Sequence, residues 1–212
     1  WSDLASPDRL LAHIPHCAEA RLYPSQVPDF AERPWDVAVI GNMNDTYYPH
    51  RVRLRDLAWK TLRKRGYRVR IFHHPGYKRP APPDTFVDAD YARELSLTKV
   101  VLTCSGHQRA AFLKYVEAPM AGALLGADIP EDRPFLRRTT MELGLSWTDE
   151  RILGAIERVL DDEHEWNRLA KPAYELVRKY RTMDTWAQMF LAVCHAYFEH
   201  SASRIWHPEE ES

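Results

Sequence analysis

A glycine and an asparagine follow directly on a short apolar run and form the first candidate for a ligand-binding point. Gly41 and Asn42 come after residues 36–40, whose β-branched side chains are typical of a buried parallel strand. A glycine at the end of such a strand lets a ligand approach the backbone closely. The sequence has no GxGxxG fingerprint here, so a plain tight turn is an equally good interpretation.

Two arginines stand at the predicted start of the next helix, where positive charge is unfavourable. Pro49 suits the first helical position, which places Arg51 and Arg53 in the first turn, against the helix dipole. A bound anion would offset this conflict, since guanidinium groups and free helix N–H groups both suit phosphate. The alternative is that these arginines are solvated on a helix that is basic throughout.

A carboxylate followed by small residues forms the third candidate. Glu117 can accept hydrogen bonds from two hydroxyl groups, as a ribose requires, and Lys114 lies three residues before it. Ala121 and Gly122 precede an apolar segment at 123–126, and small residues let a backbone crowd a phosphate. The alternative is a surface glutamate near a helix end.

The elements that must position these residues alternate between strand and helix. The hydrophobic pattern predicts strands at 36–41, 68–73, 99–104 and 123–126, and helices at 49–66, 88–96, 107–116, 149–160, 165–180 and 184–200. This alternation predicts an α/β fold, a Rossmann-like doubly wound parallel sheet with helices on both faces and a helical C-terminal tail. We expect residues 1–34 to be a connector segment, 35–200 the domain, and 201–212 a frayed acidic tail.

Composition narrows the class of protein. The 212 residues are 45% hydrophobic and 28% charged, which suits one folded domain, and the net charge of −1 argues against nucleic-acid binding. Three cysteines at spacings that fit no zinc pattern suggest a reducing, cytoplasmic setting. No apolar run is long enough to span a membrane.

Two apparent metal motifs and one aromatic stripe have simpler interpretations. Asp88 and Asp90 resemble a metal-binding DxD, but they stand at a predicted helix start, where capping explains them better. His73 and His74 are strand neighbours and point to opposite faces, so they are poorly placed to chelate one ion. A stripe on the last helix has core-like spacing and consists of Trp186, Met189, Phe190, Val193, Cys194 and Tyr197.

Taken in order, these segments resemble the C-terminal, donor-binding half of GT-B glycosyltransferases, in the CgeB/YkvP-like "glycosyltransferase family 1" group. Residues 117–125 are similar to its "EAmAcGalLL" motif, with Pro119 as a departure from the pattern. The other matching segments are 14–17, 36–42, 48–51, 91–102, 145–161 and 166–182, the last with Arg181 where histidine is common.

The resemblance implies a nucleotide-diphospho-sugar as co-substrate, with no cofactor and no bound metal. By position, Glu117 would hold the ribose hydroxyls and Lys114 would lie in the same site. Gly41, Asn42 and Arg51, with the backbone at Ala121 and Gly122, would face the diphosphate. The turn formed by His74, Gly76 and Tyr77 would lie against the base.

We therefore expect a glycosyltransferase domain that is part of a larger enzyme. Its implied partners are a nucleotide sugar, a glycan or other acceptor, and an N-terminal acceptor domain, which in this fold commonly supplies the catalytic base. The chain alone is then expected to bind donor with no assigned catalytic residue. A non-catalytic binding module remains an alternative, and a flavodoxin-like receiver domain fits less well because its acidic cluster and strand-end lysine are not evident.

Overall fold

The structure, a computed structural model, describes residues 14–72, 86–130 and 133–198. Five parallel strands form one sheet in the order β2-β1-β3-β4-β5. The strands are β1 (Trp35–Ile40), β2 (Val69–Phe72), β3 (Thr98–Leu102), β4 (Leu124–Ala127) and β5 (Thr140–Glu142). The α/β doubly wound fold predicted from the sequence is confirmed.

Seven α-helices accompany the sheet in the described part of the chain. They are α1 (Pro49–Leu57), α2 (Asp88–Ser96), α3 (Lys114–Met120), α4 (Pro134–Thr139), α5 (Asp149–Asp161), α6 (Glu163–Tyr180) and α7 (Met183–Phe198). Helix α1 continues through a π-helical turn and a 3-10 turn and ends at Gly66, whose φ of +98° gives a left-handed cap. The predicted helices at 49–66 and 88–96 therefore have the predicted bounds.

The helices cover both faces of the sheet, because alternate strand residues point to opposite sides. On one face Val37 and Val39 pack with α1 and α5 through Leu54 and Ile152. On the other face the core is formed with α2, α3 and α4, and includes Ala38, Ile40, Leu95, Val116 and Leu136. Helix α6 joins the two layers, since its Trp166 belongs to the first cluster and its Val177 to the second.

The segment before β1 packs on the domain. Ala18 forms an isolated parallel bridge with Thr182, at the start of α7, and its N–H donates to the carbonyl of Arg181 at 2.9 Å. Arg178 of α6 donates to the carbonyls of Ala20 (2.7 Å) and Pro24 (3.1 Å). The domain boundaries themselves stay a prediction.

Two parts of the sequence-based prediction were wrong and one region was missed. The helix expected at 107–116 is instead a loop followed by α3, and α4 with β5 was not predicted. The stripe on α7 is not a core face over the described side chains, because Phe190 is 45% exposed while Met189 is 4% exposed. None of the helices in the described ranges is both long and apolar enough to cross a membrane.

Candidate active site

The strand order creates a crevice between the carboxyl ends of β1 and β3. The chain passes from β1 to β2 on one side and then returns to β3 on the other side of β1. Open α/β sheets bind ligands at such a topological switch point, because the connecting helices diverge there. Gly41 follows β1 at this edge, and Thr103 and Cys104 follow β3. The site is built from these two strand ends and from the helices that begin above them.

Arg51 spans the switch point. Its guanidinium donates through Nε to the Thr103 hydroxyl (3.2 Å), through Nη1 to the Asn42 carbonyl (2.8 Å) and through Nη2 to the Cys104 carbonyl (3.1 Å). It also lies over the Tyr48 ring, 4.2 Å from the centroid, and the residue is 2% exposed. Among the described residues no carboxylate forms an ion pair with it.

The position of the Arg51 side chain requires a glycine at the end of β1, because it leaves no room for a Cβ there. Gly41 has a φ of +106°, a conformation that residues with a Cβ rarely adopt. A Cβ there would also lie 2.8 Å from Nη1 of Arg51. Asn42 accepts from the N–H of Asn44 at 2.9 Å and so closes the turn. The turn thus has a structural cause of its own, while ligand approach at Gly41 stays a prediction.

Lys114 and Glu117 lie one helical turn apart on α3, on the side that meets α2. Glu117 is half-buried, and burial raises the pKa of its carboxyl group, with Lys114 and the Tyr91 hydroxyl acting in the opposite direction. Tyr91 of α2 points its hydroxyl at Oε2 of Glu117, 3.5 Å away. Glu117 is therefore a carboxylate held in a poorly hydrated position with spare acceptor capacity.

Charge interactions connect this helix to the switch point. Burial lowers the pKa of the Lys114 ammonium, Glu117 opposes that effect, and the positive charge of Arg51 adds to it. Burial, followed by Glu117, raises the pKa of the Tyr91 hydroxyl, and the positive charge of Arg51 opposes that rise. These effects place Arg51 within electrostatic range of Lys114 and Tyr91, while Arg51 itself contacts Asn42 and lies against Gly41.

Ala121 and Gly122 do not belong to this neighbourhood. The Gly122 carbonyl accepts from Nη2 of Arg33 at 2.9 Å, and Nη1 of the same arginine donates to the carbonyl of Thr98, where β3 begins. These residues therefore lie at the amino edge of the sheet, about 10 Å along α3 from its start. Both are buried at that edge, a position that does not favour the expected contact of their backbone with a diphosphate. His74, Gly76 and Tyr77 lie outside the described residues.

Arg53 has a role that needs no anion. Its guanidinium pairs with Asp149 at the start of α5, with Nη2–Oδ1 at 2.6 Å, and also donates to the carbonyl of Trp147 at 2.6 Å. This arginine fastens α1 to the segment before α5. The unfavourable position of Arg53 in the helix dipole is thus offset by tertiary contacts.

A buried carboxylate that was not singled out from the sequence shapes the crevice. Asp128 follows β4 and is 2% exposed. Its Oδ1 accepts from the N–H of Ser105 (2.8 Å), and its Oδ2 accepts from the Ser105 hydroxyl and from Nη1 of Arg109 (3.2 Å). Tyr115 donates to the Asp128 carbonyl at 2.7 Å. Asp128 therefore holds the loop that carries Thr103 and Cys104; the available signal was a lone acid directly after an apolar strand.

We expect Asp128→Ala to destabilise the fold by about 2–3 kcal/mol, because the buried Ser105 groups lose their acceptor. Arg109 is partly exposed and water replaces much of its lost partner. Urea unfolding measures the effect. The matched control is Asp149→Ala, which removes an exposed aspartate–arginine pair and should cost less than about 1 kcal/mol. Equal losses in the two variants would contradict the assigned role of Asp128.

No metal centre is visible in the ranges that the structure describes, where no group of three or more His, Cys, Asp or Glu side chains converges. Asp88 and Asp90 lie in the first turn of α2, as predicted, and Asp90 pairs with Arg93 at 3.4 Å. The residue at the cap is Val87, which makes no side-chain cap bond. The two aspartates thus favour the helix dipole rather than acting as caps.

Comparison with solved structures relates this architecture to known proteins. Sucrose-phosphate synthase from Thermosynechococcus elongatus matches 90% of this chain with 53% of its own length, at a TM-score of 0.59 and 16% identity. An α-glucosyltransferase in complex with UDP-glucose and DNA containing an abasic site matches 84% with 57% of its length, at 0.62 and 12%. WaaG, a glycosyltransferase involved in lipopolysaccharide biosynthesis, matches 89% with 56% of its length, at 0.59 and 14%.

Of these solved structures, sucrose-phosphate synthase and WaaG are GT-B glycosyltransferases. The chain has the fold of about half of each. At 12–16% identity the likeness shows the fold and leaves the activity of this chain to be proposed. No protein-family model matches the sequence, and no curated protein matches it. The GT-B part of the predicted resemblance is therefore supported, and the CgeB/YkvP-like group within it stays a prediction.

Proposed function

We propose that this chain is the donor-binding domain of a glycosyltransferase, and that it binds a nucleotide-diphospho-sugar at the carboxyl edge of the sheet. The observation that carries the proposal is the arrangement at the switch point. A buried arginine lies there that has no carboxylate partner among the described residues, and a half-buried glutamate lies on α3, which begins at the same edge of the sheet. A diphosphate needs positive charge, a ribose needs hydrogen-bond acceptors, and this crevice offers both.

In this proposal Glu117 accepts hydrogen bonds from the ribose hydroxyls. Its carboxylate is already partly removed from water, so a hydroxyl donor replaces solvation that the free protein lacks. Lys114, one turn away, lies beside the same ligand and offers a mobile ammonium to the phosphates. The Tyr91 hydroxyl, at 3.5 Å from Glu117, restricts the carboxylate orientation.

Arg51 acts on the diphosphate mainly through its charge. Three of its five N–H groups donate to the described part of the protein, and the other two have no described partner there. A buried charge is weakly screened, so its field at the crevice is stronger than that of a solvated arginine. As the bond between sugar and phosphate breaks, negative charge grows on the diphosphate. A fixed cation stabilises that leaving group without reorganising.

No residue of this chain is assigned as the catalytic base or as part of an acceptor-binding site. This chain covers 53–57% of the solved structures that it matches, and an acceptor domain fits the remainder of such an enzyme. The α-glucosyltransferase was solved with UDP-glucose, which makes uridine nucleotides the first probes here. We also propose membership of the CgeB/YkvP-like group, a cytoplasmic location and donor binding that needs no metal.

The alternative is a non-catalytic module that has the same sheet but does not bind a nucleotide. The contacts of Arg51 favour this alternative in one respect. Its guanidinium lies against Gly41 and donates to the Asn42 carbonyl, and neither contact needs a ligand. A module of this kind needs no affinity for nucleotides. Nucleotide binding therefore separates the two functions.

The test is calorimetric titration of the chain with UDP, GDP, ADP and their sugars, each with EDTA and with added magnesium. We expect one of the diphosphates to bind with a stoichiometry of one and an affinity unchanged by EDTA. At 100 times its dissociation constant it should stabilise the fold by about 2.7 kcal/mol, which thermal unfolding detects. Failure of the whole panel to bind would favour the non-catalytic module.

A further inference from the structure

An exposed aromatic ring lies at the mouth of the crevice between β1 and β3. Tyr47, in the loop that joins β1 to α1, is 59% exposed. The centroid of its ring lies 6.4 Å from that of Tyr48, and the Arg51 guanidinium lies 4.2 Å from the Tyr48 centroid. Tyr47 is thus separated from Arg51 by one ring, a gap that a hexose attached to a diphosphate can span.

The loop that carries this ring is held from both sides. The side-chain oxygens of Asn42 and Asn44 each accept from the N–H of the second residue after them, at 2.9 and 3.0 Å. The Asn44 carbonyl accepts from the N–H of Tyr48 at 2.9 Å, and the Tyr47 carbonyl accepts from the N–H of His107 at 2.7 Å. Because the backbone is fixed, the Tyr47 ring can contact a ligand with little loss of conformational freedom.

The ring of Tyr48 fills the space beneath the loop. It packs against Phe112 with the ring centroids 6.0 Å apart, and a Cβ on Gly106 would lie only 2.9 Å from it. Gly106 has a φ of +72°, which suits a residue without a Cβ. The inward position is therefore taken by Tyr48, which leaves the Tyr47 ring on the outside.

Short polar side chains accompany the exposed ring. Asn42 and Asn44 use their amide oxygens within the loop, and their NH2 groups have no partner among the described residues. Asp45 and Thr46 are exposed, and so is His107 on the facing loop. The two loops thus offer two amide donors, a carboxylate, a hydroxyl and an imidazole beside one aromatic ring.

A pyranose ring combines the two kinds of surface that this loop can bind. One face of the sugar presents C–H groups, which pack against the negatively polarised face of an aromatic ring. Its hydroxyl groups both donate and accept, so they suit amides, carboxylates and imidazoles together. A free anion fits less well, because Asp45 repels it, and a purely apolar body leaves the polar groups unpaired.

We propose that the Tyr47 ring and the loop 42–46, with His107, form a pyranose-binding subsite next to the diphosphate position. The position of the diphosphate rests on the proposed function, whereas the subsite itself is built from the contacts of this loop. The pyranose has two sources, the hexose of the nucleotide sugar and a unit of an acceptor glycan. Two arms of the experiment separate them.

The first arm compares, by calorimetry, the nucleoside diphosphate that the chain binds with its glucose, galactose and N-acetylglucosamine derivatives. Tyr47→Ala should weaken the binding of at least one sugar nucleotide by about fivefold or more and leave the diphosphate affinity within about twofold. Tyr47→Phe keeps the ring and should retain most of the sugar-dependent affinity. Trp59→Ala, which removes another exposed aromatic ring at the far end of the same helix, is the matched control and should bind as wild type does.

The second arm adds maltotriose and cellotriose to the chain, without nucleotide and at saturating diphosphate. If an acceptor glycan occupies the subsite, one trisaccharide should shift the amide resonances of Thr46 and His107 saturably, and Tyr47→Ala should abolish the shift.

An effect that depends on Tyr47 in either arm supports the subsite and identifies its source. Equal losses for the diphosphate and its sugar derivatives in Tyr47→Ala, or no effect of that variant in both arms, would overturn the proposal. A chain that binds no nucleotide but binds a trisaccharide through Tyr47 would contradict the proposed function and leave the subsite standing.

Discussion

Glu117→Ala is expected to lower the affinity for UDP by about 10- to 100-fold. The carboxylate makes charge-assisted bonds to the ribose hydroxyls, and each such bond contributes about 1.5–3 kcal/mol as an upper scale. Glu117→Gln keeps the shape and one acceptor oxygen but loses the charge, so its affinity should lie between wild type and alanine. Calorimetry with UDP measures both variants. Glu142→Gln, an exposed change at the end of β5, is the matched control and should bind as wild type does.

Glu117→Gln should not lower the stability of the free protein, although it lowers the affinity for UDP. Because burial raises the pKa of Glu117, the folded state binds its proton more tightly than the unfolded state does. The contribution of Glu117 to the free energy of unfolding is then largest at low pH and is lost as pH rises through the folded pKa. Glu117→Gln has no such loss, so near neutral pH it should be at least as stable as wild type while binding UDP less well.

A ligand without ribose hydroxyls separates recognition from structure. The Glu117 variants should change the affinity for 2′,3′-dideoxy-UDP much less than that for UDP. Equal losses for the two nucleotides would show that Glu117 acts through the fold. A collapse of the melting temperature in Glu117→Ala without ligand would lead to the same conclusion.

Arg51→Met is expected to give the largest loss of stability among the site variants, about 3 kcal/mol or more. The change leaves the Asn42 and Cys104 carbonyls and the Thr103 hydroxyl without their donor in a buried place. Arg51→Lys keeps the charge but not the planar fork, so it should restore part of the stability. Urea unfolding of the three proteins measures these differences.

The charge of Arg51 is tested by comparing UDP with uridine, which has no phosphate. Wild type and Arg51→Lys should both prefer UDP, whereas a folded Arg51→Met should lose about tenfold or more of that preference. Conditions of low temperature keep the methionine variant folded for the measurement. If the ratio of the two affinities is the same in all three proteins, Arg51 only shapes the crevice and does not attract the diphosphate.

Helices and strands were predicted correctly where the hydrophobic pattern or the boundary residues lie within the segment itself. The run 36–40 and the helix at 88–96 have strong hydrophobic or boundary signals, and the structure has both. Residues 107–116 were predicted as a helix from the hydrophobic pattern. The structure makes most of them a loop, since Asp128 holds Ser105 and Arg109, and Tyr47 accepts from the N–H of His107. Contacts between distant residues decide such a segment.

The same limit applies to the candidate site. The position of Arg51 at a helix start was visible in the sequence, but its partners Thr103 and Cys104 are 52 and 53 residues away. Glu117 could be singled out, whereas the direction of α3, which takes Ala121 and Gly122 to the opposite edge, could not. The short strand β5 has three residues and no recognisable pattern. The chemical groups of the candidate site were thus visible in the sequence, whereas their arrangement depends on contacts between distant residues.

The most direct measurement of the central claim is an NMR titration of the isotope-labelled chain with UDP. Binding at the switch point should shift the amide resonances of Asn42, Thr103 and Glu117 together, with one dissociation constant. The amides of Thr98 and Gly122, at the amino edge of the same sheet, should stay unchanged and serve as the internal control. Absence of shifts at saturating UDP, or shifts confined to the amino edge, would contradict a nucleotide site between β1 and β3.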